Sequence, residues 1–263
     1  MVNLPKAKPK SKRKSDQYND PKHNYLHYWD GRQYEHLAEE IAINKLLRFK
    51  HFNTAVDIGG GYGRLSVLLE NYSDHVVLAE PSQQQLDIAK KFLKGHPNIN
   101  KELMQADDLN FKDESVDLVT LIRVMHHLPD PSNEFNEIAR VLKNEGYAII
   151  EVANYVHMLN RIRHLIKLKK IPVKPVDIRS EINKSKDEIP FVNHNPETVT
   201  RQLQHAGLYV VKVLSVSNLR NPRLKKVLPM NIMLGSEKLM QRPLSKLYFG
   251  PSIFFLVRKK HDF

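Results

Sequence analysis

Cysteine is absent from this sequence of 263 residues, so no thiolate is available to bind a metal or attack a substrate, and no disulfide can form. No apolar run approaches the roughly 18 residues that a membrane-spanning helix needs. Residues 1–15 are polar and basic and lack the apolar segment of a secretion signal. Glycine is scarce, with 10 residues, which excludes a collagen-like repeat. These absences predict a cytoplasmic protein without a membrane span.

The charge of the chain is large and unevenly distributed. Apolar residues make up 41% and charged residues 27%, which supports a hydrophobic core and excludes a wholly disordered chain. The net charge is +12. Residues 50–155 contain 10 Lys and Arg against 16 Asp and Glu, a net charge of −6, so the remaining segments carry +18. We therefore expect anionic partners, where they bind, to meet the basic flanks.

The chain divides into a tail and one domain. Residues 1–24 are rich in Lys and Pro and are predicted to be a disordered basic tail, with contact to nucleic acid or anionic lipid as the alternative role. Residues 25–263 are predicted to form a single domain with a core at about 50–155 and insertions at about 155–192 and 218–250. The aromatic residues Tyr25, Tyr28 and Trp29 either pack an N-terminal helix onto the sheet or close over a substrate.

Short apolar segments alternate with helical patterns along the core. The pattern predicts strands near 54–58, 76–79, 102–105, 116–122, 146–152, 208–216 and 252–257. Such a rhythm indicates an α/β fold, a doubly wound, seven-stranded and mostly parallel sheet with helices on both faces. The insertions follow the fifth and sixth strands, and residues 218–250 are predicted to be irregular.

A glycine-rich loop, Asp57-Ile58-Gly59-Gly60-Gly61-Tyr62-Gly63, directly follows the first strand and opens a helix. Glycine lets the backbone approach a ligand closely, and the free N–H groups of a helix N-terminus favour a carboxylate or phosphate. The G-x-G-x-x-G pattern of dinucleotide enzymes fits poorly, because its third glycine would fall on Arg64.

Two further acids follow the next strands. Glu80 ends the second strand and Asp107 follows the third. The carboxyl ends of parallel strands gather at one edge of a sheet, so both acids are expected beside the glycine loop. Glu80 could then accept hydrogen bonds from ribose hydroxyls, and Asp107 one from an exocyclic amine. Its neighbour Asp108 is the less favoured contact.

In these residues, and in the segments Val116–Val119, Val124–Leu128 and Glu137–Lys143, the chain resembles the class I S-adenosylmethionine-dependent methyltransferases, which have a Rossmann-like fold. The resemblance spans about residues 35–155, and it is strongest to the branch of ubiquinone- and menaquinone-biosynthesis and other small-molecule enzymes. It implies S-adenosyl-L-methionine as the cofactor. The cofactor-binding residues that it implies are Asp57, Gly59, Gly60, Gly61, Gly63, Glu80, Asp107 and Arg123. Gln105 is a departure, because many relatives have Gly there.

Three histidines are candidate general bases for an acceptor that must lose a proton. His126 and His127 follow the fourth strand, and His194 precedes a predicted helix after the first insertion. The alternative for all three is packing, capping and hydrogen bonding. No metal site is expected, since adjacent histidines rarely converge on one ion and cysteine is absent.

The segment from Tyr155 to Lys170 is predicted to be a basic amphipathic helix. Three roles are open for it: a lid that buries its apolar stripe, a contact with an anionic membrane surface, or a contact with RNA phosphates. No RNA-binding module is recognisable in the sequence, which makes nucleic acid the less favoured partner.

These features lead to three hypotheses. The first is an enzyme that transfers a methyl group from S-adenosylmethionine to a small-molecule or lipid-like acceptor. The second keeps the cofactor but makes the acceptor RNA or another macromolecule. The third is a non-catalytic protein that only binds the cofactor, which the intact series of acids disfavours.

Overall fold

The structure is a computed structural model, which describes residues 17–19, 29–185 and 189–259. Its main sheet has seven strands in the order β3-β2-β1-β4-β5-β9-β8. These strands are β1 (Phe52–Ile58), β2 (Ser73–Glu80), β3 (Ile99–Leu103), β4 (Val116–Leu121), β5 (Leu142–Ala153), β8 (Leu208–Val216) and β9 (Ser252–Lys259). The short strands β6 (Val176–Asp177) and β7 (Val192–Asn193) form a separate antiparallel pair.

The first five strands of the sheet are parallel, and β9 pairs antiparallel with both β5 and β8. The predicted doubly wound, mostly parallel sheet is therefore confirmed. Strands that are buried on both faces are rich in apolar residues along their length, as are the parallel strand β4 and the antiparallel strand β9. The strand order switches at β1: β2 and β3 lie on one side of it, and β4 and β5 lie on the other. Ligands of such sheets bind in the crevice at this switch point, at the carboxyl ends of the strands.

Helices cover both faces of the sheet. They are α1 (Gln33–Leu46), α2 (Ser66–Leu69), α3 (Gln83–Phe92), α4 (Ser132–Val141), α5 (Met158–Ile166), α6 (Glu181–Ser185), α7 (Pro196–His205), α8 (Pro222–Val227) and α9 (Met230–Ser245). Apolar residues of α1, α3 and α9 form one core with one face of the sheet, and those of α4 and α7 form a second core with the other.

Local side chains fix where two of these helices begin. Ser82 caps α3 by accepting a hydrogen bond from the Gln85 backbone N–H, and Asn195 caps α7 by accepting one from the backbone N–H of Glu197. Pro196 is the first residue of α7, where its missing N–H costs no helix hydrogen bond. The capping residues Ser82 and Asn195 thus determine where α3 and α7 begin.

The structure departs from the predicted elements in three places. Strand β3 lies about three residues earlier than predicted. Residues 218–250, expected to be irregular, contain α8 and the 16-residue α9, which packs on α1 and β8. Helix α5 has no buried residue, so the expectation that it buries its apolar stripe as a lid is wrong.

The predicted tail falls mostly outside the described residues, as do Tyr25 and Tyr28. The exception is Gln17–Asn19, which forms a 3-10 turn against the start of α3, where the Ser82 hydroxyl lies 2.8 Å from the carbonyl oxygen of Tyr18. Within the described ranges, no helix is long and apolar enough to cross a membrane.

Candidate cofactor site

A cavity of about 350 Å³ lies at the carboxyl edge of β1, β2 and β4. We call it the strand-end cavity. Its walls are formed by Tyr18, Ile58, Gly59, Gly61, Glu80, Pro81, Ser82, Gln85, Gln105, Ala106, Asp107, Arg123, Val124, His127, Leu128, Glu134 and Ile189. The sheet topology therefore brings the glycine loop together with both acids that were predicted beside it.

Glu80 is the central acid of this cavity and is 5% exposed. Its Oε2 accepts a hydrogen bond from the Gly61 N–H at 2.9 Å, and its Oε1 accepts one from the Ser82 N–H at 2.9 Å. A carboxylate oxygen can accept more than one hydrogen bond, so these two contacts are compatible with a ligand that donates to Glu80. The two backbone donors hold the carboxylate in one orientation.

Asp57 lies beneath the glycine loop, where it is 1% exposed. Its two carboxylate oxygens accept hydrogen bonds from the Ser66 and Thr120 hydroxyls, each at 2.7 Å. Burial raises the pKa of Asp57, and these two hydrogen bonds oppose the rise. The residue does not line the strand-end cavity, but it lines a smaller neighbouring pocket of about 20 Å³. The resemblance implies that Asp57 orients the glycine loop and the cofactor's amino group, and its buried place beneath the loop fits the first of these two roles.

The glycines of the loop are required by close approach. A Cβ on Gly59, whose φ is 65°, would lie 2.5 Å from Val124 Cγ2, and a Cβ on Gly60 would lie 2.5 Å from Asp57 Oδ2. Gly59 and Gly61 line the strand-end cavity, whereas Gly60 lines the smaller pocket. Gly63 lines neither and packs against Leu93. Of the loop glycines, Gly59 and Gly61 are therefore the ones that a ligand in the strand-end cavity would meet.

Asp107 lines the strand-end cavity, as do its neighbour Ala106 and Glu134. Asp108 does not line the cavity, and its backbone N–H donates to the Gln105 carbonyl at 3.2 Å. The predicted preference for Asp107 over Asp108 therefore agrees with their placement.

Among the residues that the structure describes, two buried side chains of the cavity have unpaired polar atoms. Gln85 is 1% exposed, yet both its Oε1 and its Nε2 are unpaired, and Glu134 Oε2 is unpaired as well. Burial raises the pKa of Glu134, and the nearby Asp107 charge raises it further. A buried unpaired polar group costs about 1–3 kcal/mol, which a bound ligand can recover. These atoms, together with Glu80 and the glycine cradle, fit a polar ligand such as a nucleoside.

Arg123 borders both the strand-end cavity and the smaller pocket. Its φ is 63°, an uncommon conformation for a residue with a side chain, and its N–H donates to Glu151 Oε2 at 3.2 Å. Its Nε donates to Glu39 Oε1 at 2.6 Å. The second oxygen of Glu39 accepts from Arg64 at 2.6 Å, and the Arg64 guanidinium stacks 3.6 Å above the Trp29 ring.

The group of Glu39, Arg64, Arg123 and Trp29 was not predicted. Glu39 is fully buried, and its burial alone would raise its pKa. The charges of Arg123 and Arg64 outweigh that effect and lower the pKa, so Glu39 is a carboxylate bridging two arginines. The cluster carries one net positive charge, and Arg123 is the member that lines the strand-end cavity.

The three candidate histidines have different surroundings. His127 lines the cavity, with its Nδ1 3.0 Å from the Pro190 carbonyl oxygen and its Nε2 2.7 Å from the Tyr18 hydroxyl. A carbonyl can only accept, so Nδ1 carries the proton and Nε2 accepts from Tyr18. His126 does not line the cavity and packs against Phe191, and burial lowers its pKa well below the usual value.

His194 is 1% exposed and does not line the cavity. Its Nε2 donates to the Met125 carbonyl at 2.9 Å, and its backbone pairs with the end of β5. It therefore fixes the first insertion onto the sheet, a placement that speaks against a role as catalytic base. In the portion of the chain that the structure describes, no three His, Asp or Glu side chains are grouped as a metal site requires.

Known proteins are similar to this chain in sequence and in fold. Residues 56–150 match a family described as a methyltransferase domain. The uncharacterized methyltransferase YcgJ of Bacillus subtilis is 28% identical over 119 residues, which cover 41% of this chain and 47% of that protein. A demethylmenaquinone methyltransferase of Lactobacillus johnsonii is 34% identical over 109 residues, which cover 39% and 44% of the two chains. The chain spans about half the length of these relatives.

Solved structures agree over nearly the whole chain. A chain from the complex of the Haloferax volcanii Trm112 methyltransferase activator with a methyltransferase superposes with a TM-score of 0.64 at 18% identity, covering 95% of this chain and all of that one. A SAM-dependent methyltransferase from Thermotoga maritima gives a TM-score of 0.61 at 20% identity, covering 93% and 98%. Residues 56–150 therefore match a methyltransferase domain, and the chain as a whole has the fold of solved methyltransferase structures.

Proposed function

We propose that this protein binds S-adenosylmethionine in the strand-end cavity and transfers its methyl group to a small-molecule, lipid-like acceptor. The observation that carries the proposal is the cavity itself, which is lined by Glu80, Asp107 and glycines of the loop, and also by Gln85 and Glu134 with their unpaired polar atoms. Relatives named for menaquinone and ubiquinone biosynthesis support an acceptor of this class.

Each wall of the cavity has a distinct part in this proposal. Glu80 would accept hydrogen bonds from the ribose hydroxyls, and Asp107 would accept one from the adenine amine. Gly59 and Gly61 let the backbone approach the methionyl part, and Arg123 adds positive charge for its carboxylate. When bound, S-adenosylmethionine supplies a methyl group activated by its sulfonium. The protein's own contribution is orientation and electrostatics, so a general base is needed only for an acceptor that loses a proton.

If a base is needed, His127 is the candidate of the three that reaches the cavity. In a neutral ring with its proton on Nδ1, a proton from the acceptor would go to Nε2 once the Tyr18 hydroxyl has moved away. His126 and His194 then act by packing and anchoring.

The proposal is tested by two measurements on the full chain. Calorimetry with S-adenosylhomocysteine should show one site per chain. Labelled methyl transfer into a cell extract, separated into lipid, small-molecule, RNA and protein fractions, should place the label in the lipid or small-molecule fraction. Label in RNA would support the macromolecular alternative instead, and binding without any transfer would support a non-catalytic protein.

The two neighbouring aspartates offer a matched pair of variants. Asp107→Asn replaces a carboxylate of the cavity wall, and we expect S-adenosylhomocysteine to bind about tenfold more weakly, since a hydrogen bond to a charged group contributes about 1.5–3 kcal/mol. Asp108→Asn changes the same charge outside the wall and should leave the dissociation constant within about twofold. Equal effects of the two variants would remove Asp107 from the site.

Substitution of Gln85 is expected to raise the stability of the ligand-free protein and to lower its affinity for the ligand. In Gln85→Leu the unpaired amide is gone, so the ligand-free protein should gain about 1 kcal/mol in its free energy of unfolding. The affinity for S-adenosylhomocysteine should fall about fivefold or more, because the ligand loses its partner. Urea unfolding and calorimetry measure the two quantities. Gln83→Leu, on the exposed surface of the same helix, is the control and should change neither.

A further inference from the structure

Helix α5 exposes apolar side chains to solvent along one face. Leu159, Ile162, Leu165 and Ile166 recur at helical spacing and are 60%, 44%, 74% and 76% exposed. Leu168, just after the helix, is 92% exposed. A group of large exposed apolar residues on one helix marks an interaction site more often than chance.

The same segment is strongly basic. Residues 156–176 contain six Lys and Arg and no Asp or Glu. They are Arg161, Arg163, Lys167, Lys169, Lys170 and Lys174. None of the six forms an ion pair with a carboxylate in the described ranges, and five are exposed. We call these cations and the exposed apolar residues of α5 the α5 face.

The α5 face stands at the same edge of the sheet as the strand-end cavity. Asn154, at the end of β5, donates through Nδ2 to the carbonyls of Tyr248 and Gly250 at 2.7 Å. The N–H of Met158, the first residue of α5, donates to the Phe249 carbonyl at 3.1 Å. The base of the helix is thus tied to the strand ends, while its apolar side chains face away from the protein.

We propose that the α5 face docks on an anionic lipid surface, a role that rests on the proposed lipid-like acceptor. An amphipathic helix of this kind lies in the interface plane, with its apolar side chains among the acyl chains and its cations at the head groups. The cations alone would suit RNA phosphates, but RNA would leave the exposed leucines and isoleucines in water. A lipid surface satisfies both halves of the face. It would also place the cavity edge where a lipid-like acceptor is dissolved.

The test is sedimentation of the full chain with vesicles of phosphatidylcholine, with or without one quarter phosphatidylglycerol. The wild-type protein should bind the anionic vesicles at least tenfold more strongly than the neutral ones. The variant L165S/I166S should lose at least tenfold of that binding. Because every Lys and Arg is unchanged in this variant, the basic N-terminal residues cannot account for the loss.

The control is Phe49→Ser, which removes a side chain that is 92% exposed between α1 and β1, at the opposite edge of the sheet. It should bind the anionic vesicles like the wild type. Unchanged binding by L165S/I166S, or equal binding to both vesicle types, would overturn the proposal. So would a wild-type dimer in sedimentation velocity that this variant abolishes, since a second copy would then occupy the face.

Calorimetry with S-adenosylhomocysteine on the same variants separates this proposal from the proposed function. Neither Leu165 nor Ile166 lines the strand-end cavity, so L165S/I166S should bind S-adenosylhomocysteine like the wild type. Lost vesicle binding with retained ligand binding supports the α5 face. Absence of ligand binding in every variant, with vesicle binding intact, would refute the cofactor site and leave the docking surface standing.

Discussion

Glu80→Gln is expected to weaken the binding of S-adenosylhomocysteine by about a hundredfold. Two hydrogen bonds from ribose hydroxyls to a buried carboxylate contribute about 1.5–3 kcal/mol each, and 1.4 kcal/mol corresponds to a factor of ten. The glutamine side chain is of the same size, but its amide nitrogen can no longer accept. One end of the new amide would also meet a backbone donor, since Gly61 and Ser82 each donate to one oxygen of Glu80.

Calorimetry of the variant measures the affinity, and thermal unfolding without ligand measures the cost to the fold. Glu102→Gln, on the neighbouring strand β3 but away from the cavity wall, is the matched control and should bind like the wild type. An unchanged dissociation constant for Glu80→Gln would show that the ribose lies elsewhere. A folded variant with a lost site is the expected outcome.

The positions of Glu80 and Asp107 could be predicted because they depend on sheet topology. Parallel strands end at one edge, so an acid that follows a strand end is brought to the glycine loop whatever its other neighbours are. The alternation of strands and helices in the sequence likewise predicted the doubly wound, mostly parallel type of the sheet. It was least accurate for β3 (Ile99–Leu103), an edge strand that needs little apolar content and whose register is set by pairing with β2.

Helix α9 was missed for a different reason. Pro229 and Pro243 suggest breaks in the sequence, but Pro229 is the N-cap that precedes the first turn, and only Pro243 lies inside the helix. The helix is fixed by tertiary contacts, above all by Glu237. That residue is fully buried and accepts hydrogen bonds from the Tyr34 hydroxyl at 2.7 Å and the Ser217 N–H at 2.8 Å.

The unpaired Gln85 and the bridging Glu39 could not be predicted for a related reason. A glutamine or glutamate in a helix is usually solvent-exposed, and its burial depends on which segments pack over it. For Glu39 the partners are 25 and 84 residues away in the chain. Only the spatial arrangement makes these two side chains part of the site.

Glu39→Gln is expected to lower the free energy of unfolding by about 3 kcal/mol, because removal of one partner from a buried ion pair leaves uncompensated charge. The side chains of Arg64 and Arg123 are 10% and 16% exposed, so water cannot fully replace the carboxylate. Glu40→Gln is the control on the same helix. Glu40 is 29% exposed and pairs with His36 at 3.4 Å, so its change should cost less than about 1 kcal/mol.

The pH dependence of this difference follows from the lowered pKa of Glu39. A carboxylate whose pKa is lower in the folded than in the unfolded protein stabilises the fold above the unfolded value, and that stability is lost as the pH falls through the folded value. Urea unfolding of the wild type and of Glu39→Gln should therefore differ most at neutral pH and converge as the solution is acidified below the ordinary glutamate pKa. A difference that persists unchanged in acid would show that Glu39 acts by packing alone. In that case the two arginines would owe their positions to Trp29 and Glu151 and not to the bridging carboxylate.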